Sequence, residues 1–230
     1  MKKIILAGVI VLAVAVGLAH WYYADRGRFT TEPVQTGLAR QATDEGLVST
    51  ADPAAVIRLD QAYQHAGGHK FVLYGTADTE QHVYVESTPD GKLKSLYWIQ
   101  FEAYLPDNSY TYDYEDSPGR MQFGSLDFYL DSDIVVADPS RRRAGSDAAM
   151  IRRLLSAAGY EYPLLFAYAR MVHLTDDTRR KELMVVMLED LSREGLTAAE
   201  LEDTEANAAR RAELESRHLE KIRRTLHITP

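Results

Sequence analysis

Across residues 92–105 the apolar side chains recur at every second position. Leu93, Tyr97, Ile99, Phe101, Ala103 and Leu105 share one side, and Ser95 is the single polar member among them. Lys92, Lys94, Gln100 and Glu102 lie on the other side, together with Leu96, Trp98 and Tyr104. A period of two sustained over this length is the pattern of a half-buried strand and requires a sheet around it. Shorter alternating runs occupy 71–76 and 82–87, separated by Asp78-Thr79-Glu80. Pro89-Asp90-Gly91 and Pro106-Asp107-Asn108 then supply turn chemistry on both sides of the long strand. Residues 110–115 place Tyr110, Tyr112 and Tyr114 on one side, with Thr111, Asp113 and Glu115 on the other. Residues 121–136 give one long or two shorter strands. Connections this short join antiparallel neighbours, since parallel strands need a crossover of a dozen residues or more. The expected fold class is α+β: a mostly antiparallel sheet of five to six strands packed by flanking helices.

The helices are read from caps and a 3.6-residue period. Asp52-Pro53 opens one carrying Val56, Leu59, Tyr63 and Ala66, with Gly67-Gly68 as its stop. Ser146 caps a second, whose Met150, Ile151, Leu154, Leu155 and Ala158 share a face and which ends at Gly159. Residues 164–174 alternate and read as a strand. Residues 175–191 read as a helix behind the cap Thr175-Asp176-Asp177, and the alternative is a hairpin across 164–191. Residues 197–226 form a long charged helix, acidic at its start and basic at its end, as the helix dipole favours. Its apolar positions are few, which suits a surface helix or one that pairs with another chain.

The N-terminus carries an address. Lys2 and Lys3 precede an apolar run over 4–23 that ends in Trp21, Tyr22 and Tyr23. Twenty helical residues span about 30 Å, the thickness of a hydrocarbon core. The expectation is a single-pass signal-anchor over 1–24 in a bacterial-type inner membrane, with the membrane as partner through 4–23. A flexible spacer over 25–50 would then lead to one globular domain over 51–230 on the periplasmic side. A cleaved signal peptide, ending near Ala13-Val14-Ala15 or Gly17-Leu18-Ala19, is the competing reading.

Composition narrows the chemistry. A net charge of -8 argues against nucleic acid as a partner, because phosphate backbones need a basic surface. The chain has no cysteine, which removes disulfides, thiolate metal sites and cysteine nucleophiles. His65 and His69 are four apart, but Gly67-Gly68 interrupts the helix that would align them, so neither a metal site nor a cofactor is expected. Tyr97, Tyr110, Tyr112 and Tyr114 form a candidate ligand-binding face, since the ring is apolar and its tip polar. Arg141, Arg142 and Arg143 make a basic patch suited to phosphate or an acidic partner. The leading expectation is a non-enzymatic protein-binding or scaffolding module, with a protein partner or self-association through the C-terminal helix. Binding of a lipid or small apolar ligand on the tyrosines is the first alternative. A hydrolase using Asp113, Glu115 or Asp127 is the second.

Overall fold

The computed structural model describes residues 26–230. Eleven strands form two antiparallel sheets among these residues. β1 (Arg40–Thr43), β2 (Gly46–Ser49), β3 (Ala55–Leu59) and β11 (Leu226–Thr229) make a small sheet in the order β1-β2-β3-β11. The large sheet comprises β4 (Gln64–Leu73), β5 (Ala77–Ser87), β6 (Leu93–Tyr104), β7 (Gly119–Phe123), β8 (Leu126–Val136), β9 (Leu165–Leu174) and β10 (Lys181–Asp190). Its order, β4-β5-β6-β10-β9-β8-β7, joins two meanders through the β6–β10 pair.

The large sheet is the middle of three layers. On one face lies α1 (Asp147–Ala157), whose Ile151, Leu154 and Leu155 pack with Val83, Leu96, Trp98 and Val186. On the other face lie the small sheet and α3 (Ala208–Thr225), where Leu47, Ile57 and Ile222 pack with Tyr97, Ile99, Val185 and Met187. These are called here the α1 face and the small-sheet face. β6 is therefore covered on both sides rather than half-buried, and its residues from Ser95 to Phe101 are all buried.

The expected fold class is corrected in several respects. A single sheet of five to six strands becomes two sheets of four and seven strands. The helix expected from Asp52 to Ala66 is β3 followed by the start of β4, where Ala55, Ile57 and Leu59 are buried at period two. Four apolar residues over so short a run fit either period, and pairing of β3 with both β2 and β11 decides between them. Gly67-Gly68 lies inside β4, at a bulge where Gly67 has φ +144°, and does not stop a helix.

Residues 164–191 form the hairpin β9–β10, the alternative reading, and β10 is a central strand. Its unbroken run Leu183–Leu188 is buried on both faces, which erases the alternation that would have marked it. The C-terminal helix is two pieces, α2 (Ala198–Leu201) and α3, followed by β11. The apolar positions of α3 are used within the chain: Leu214 and Ile222 are 1% exposed or less. Part of the expected spacer is also ordered, as β1 and β2.

The membrane-related expectations are corrected too. Among the described residues no helix is long and apolar enough to cross a membrane. A transmembrane segment, a signal-anchor and a single-pass inner-membrane placement therefore have no support in the structure. The stretch 4–23 that suggested them lies outside the described residues.

Candidate functional site

Two polar assemblies occupy opposite faces of the same strands. On the α1 face, Glu102 of β6 stands directly opposite Glu182 of β10 in the antiparallel register. Cross-strand side chains at such positions are near neighbours, so two carboxylates are held side by side, Glu182 buried and Glu102 partly buried. Glu182 is 3% exposed.

Donors surround the pair. The Tyr112 hydroxyl donates to Glu102 Oε1 at 2.8 Å, Gln100 Nε2 donates to Glu102 Oε2 at 2.6 Å, and the Tyr114 hydroxyl donates to Glu182 Oε2 at 2.7 Å. Burial pushes Glu102 up to about 7, and the nearby Asp147 charge adds to that rise. Burial, followed by the charge of Glu102, pushes Glu182 up to about 8. At neutral pH the pair therefore retains at least one proton, as close carboxylates withdrawn from water do.

The network continues along the face. Gln81 Nε2 and Trp98 Nε1 both donate to Gln100 Oε1, at 2.7 and 3.0 Å, and His69 Nε2 lies 2.8 Å from Gln81 Oε1. Every polar group here has a partner, which is the condition for burying such a chain of groups at tolerable cost.

The small-sheet face of the same strands carries a cleft of about 500 Å³ at the open end between the two sheets. Alternation turns Val72, Phe101 and Ala103 into its floor. Arg40 lies across that floor with its guanidinium carbon 4.0 Å from the Phe101 ring centroid. Glu80 sits beside it, 5% exposed, accepting from the N–H groups of Ala39 and Arg40 at 2.8 and 2.9 Å. Burial acts to raise the Glu80 pKa, but His82 at 3.0 Å, these N–H groups and the Arg40 charge outweigh it and hold the carboxyl low. Lys181 closes one side through a 2.6 Å pair with Asp52, and Lys70 Nζ donates to the Gly37 carbonyl at 2.6 Å.

Arg40 is the unusual member. NH1 is 3.8 Å from Glu80 and NH2 donates to the Asp52 carbonyl at 3.1 Å, but Nε is buried with no hydrogen-bond acceptor. Burial lowers its pKa, and Glu80 and Asp52 oppose that. A buried charged donor without an acceptor is costly, which sets Arg40 apart from the fully paired groups on the α1 face.

The residues singled out from sequence are dispersed. Tyr112 and Tyr114 cap the carboxylate pair from an irregular loop, not from a strand. Tyr110 is 44% exposed and meets Tyr104 edge-on at 5.7 Å. Tyr97 is on the opposite face, fully buried, with its hydroxyl 2.7 Å from Thr225 Oγ1. Asp113 and Glu115 are exposed and bind Arg179 at 3.0 and 3.1 Å, while Asp127 lies on the β7–β8 hairpin. Arg141, Arg142 and Arg143 line a separate cleft beside α1. Sequence reading missed Arg40, Glu80 and Glu182 altogether. Glu102 left a signal, as a polar residue within the long alternating run. No protein-family model matches the chain, and no match was found among curated proteins or solved structures.

Proposed function

We propose that this chain is a binding protein for a small molecule with one carboxylate and an apolar body, held in the cleft between the sheets. The observation that carries the reading is the buried, acceptor-less Nε of Arg40 above the Phe101 ring. A ligand carboxylate entering beside Arg40 would supply an acceptor in a charge-assisted bond once the side chain turns to present Nε, and its apolar part would lie on Val72, Phe101 and Ala103. A volume of about 500 Å³ suits a ligand of that size. Acids outnumber bases in the lining, with Glu32, Asp52, Asp78, Glu80, Glu102 and Glu182 against Arg40, Lys70 and Lys181, so only a carboxylate placed directly at Arg40 is offset and each further negative charge on the ligand adds repulsion.

Isothermal titration of the purified protein with phenylacetate and with its uncharged amide tests this. The acid should bind at least tenfold more tightly than the amide, and Arg40→Gln should remove that preference. Equal affinity for acid and amide, or an unchanged preference in the variant, would refute it.

A further inference from the structure

On the far side of the large sheet, a second cleft of about 450 Å³ opens between the loop after β8 and the first turn of α1. Arg141, Arg142, Arg143 and Arg152 converge on it, and Tyr74 and Tyr162 form its aromatic walls. We propose that this cleft binds a phosphate monoester carried on a planar ring.

The first support is uncompensated charge. Arg141 has a carboxylate partner, Asp138, at 3.4 Å. Arg142, Arg143 and Arg152 form no ion pair with any acidic residue among the described residues, although the chain as a whole has a net charge of -8. Two acidic side chains face the cleft. Asp138 is occupied by Ser140, whose N–H and hydroxyl donate to it at 2.9 and 2.7 Å, and by Arg141. Asp147 accepts from the Ala148 N–H at 2.7 Å, and burial favours its neutral form, so it is a weak counterion. Like charges drawn into one concavity repel one another unless an anion joins them. Burial, with the Arg142 charge acting in the same direction, disfavours the charged form of half-buried Arg152. A phosphate would relieve both effects, and guanidinium forks match its oxygens in pairs.

The second support is the aromatic walls. Tyr74 and Gly75 are the two central residues of the turn that leaves β4, closed by the Thr76 N–H on the Leu73 carbonyl at 2.9 Å, with φ of +54° and +68°. Turns of this kind take Asn, Asp or Gly at the first position, because a larger side chain is strained there. A tyrosine is held in that position nonetheless, with Arg143 lining the same cleft. Across the space the Arg152 guanidinium carbon is 5.4 Å from the Tyr162 ring centroid, in the range of a cation–π contact. Aromatic rings flanking the arginines provide stacking surfaces that a bare inorganic anion would not use, and this selects a ring-bearing monoester. The site is distinct from the Arg40 cleft, which lies on the other face of the sheet.

The test is titration of the full chain with phenyl phosphate and, separately, with inorganic phosphate in a chloride buffer. Phenyl phosphate should bind at least tenfold more tightly than inorganic phosphate. Arg142→Gln, on the exposed loop, should weaken phenyl phosphate by at least tenfold while leaving the circular dichroism spectrum unchanged. Tyr74→Asn, which suits the turn, should reduce the preference for the aryl ester and leave inorganic phosphate unaffected. Absence of phenyl phosphate binding at millimolar concentration, equal affinity for the two phosphates, or no change in Arg142→Gln would each overturn the proposal. Phenylacetate binding in the other cleft should survive both substitutions, which separates failure here from failure there.

Discussion

Replacing Glu182 by Gln removes one titrating group from the buried carboxylate pair and keeps nearly the same shape. Tyr114 can still donate to the amide oxygen as it does to Glu182 Oε2. In the unfolded chain both glutamates ionise near 4.5, whereas in the fold Glu102 rises to about 7 and Glu182 to about 8, chiefly through burial. A carboxyl raised in this way adds stability that is fully present below 4.5 and is lost as pH climbs through the folded value. Between pH 7 and 8 the folded protein holds a proton on Glu182 that the unfolded chain has released. Unfolding stability should then fall by about 1.4 kcal/mol per pH unit for each proton so held. For a chain of this size that is roughly 3 to 6 °C in Tm per unit.

Two histidines of β4, His69 buried and His65 exposed, act in the opposite sense at lower pH. Desolvation, reinforced by the charge of His82, lowers His65 to about 4, and burial also lowers His69, so in the fold both give up their protons at lower pH than in the unfolded chain, where they titrate near 6.5. Their contribution makes stability rise as pH goes from 4 to 6.5. The glutamates' loss begins as pH passes 4.5 and opposes this rise, so the wild-type profile should be shallow up to about pH 6.5 and decline above it. In Glu182→Gln the histidine limb should persist and the decline above pH 7 should flatten by about 1.4 kcal/mol per unit. Urea melts at half-unit intervals from pH 5 to 8.5, on both proteins, read the difference directly. Parallel curves above pH 6.5 would show that the pair holds no proton in the fold and would refute the reasoning.

Three further substitutions probe the frame. Gly46 has φ +139°, and a Cβ there would lie 2.0 Å from the Ile57 carbonyl oxygen, so Gly46→Ala should cost about 2–4 kcal/mol in urea melts. Leu155 of α1 is fully buried against the large sheet, and Leu155→Ala should lose about 2–5 kcal/mol with an unchanged far-ultraviolet spectrum. Lys221 stands between Glu189 and Glu86 at 2.9 and 3.2 Å. Lys221→Met leaves both carboxylates without their shared cation and should cost about 3 kcal/mol at pH 7. That loss should shrink on acidification as the glutamates protonate, so an equal loss at pH 7 and pH 4 would contradict the pairing.

The strands that stand out in the sequence are those with a polar side to contrast with. β6 advertises itself through Lys94, Gln100 and Glu102, and β8 through Asp127, Asp131 and Asp133. β10 gives no such contrast from Leu183 to Leu188, because α1 covers one of its faces and the small sheet and α3 contribute to the core on the other. An apolar run of that kind fits a buried helix turn as readily as a buried strand. β3 and β11 are hidden for a different reason: each is only four or five residues long, and the pairing that makes them strands joins Leu59 to Leu226 across most of the chain. Long-range pairing leaves no local mark.

The tyrosine loop shows what alternation reports. Tyr110, Tyr112 and Tyr114 read as one side of a strand, yet residues 110–114 belong to no ladder. The backbone is nevertheless extended enough to deliver Tyr112 and Tyr114 to the same side, their rings 6.3 Å apart and Tyr112 stacked on Tyr104 at 4.3 Å. What fixes the loop is the carboxylate pair beneath it, with the Arg179 side chain binding the Tyr112 carbonyl at 2.9 Å and Asp113 and Glu115 from outside. The side-chain spacing was legible because it depends on local geometry alone. Its purpose was not, since Glu102 and Glu182 meet only when β6 and β10 pair, and Glu182 opens a run that carries no alternation. The same holds for Arg40: a lone arginine in a polar stretch gains its character only when Phe101 and Glu80 arrive beneath it from two other strands.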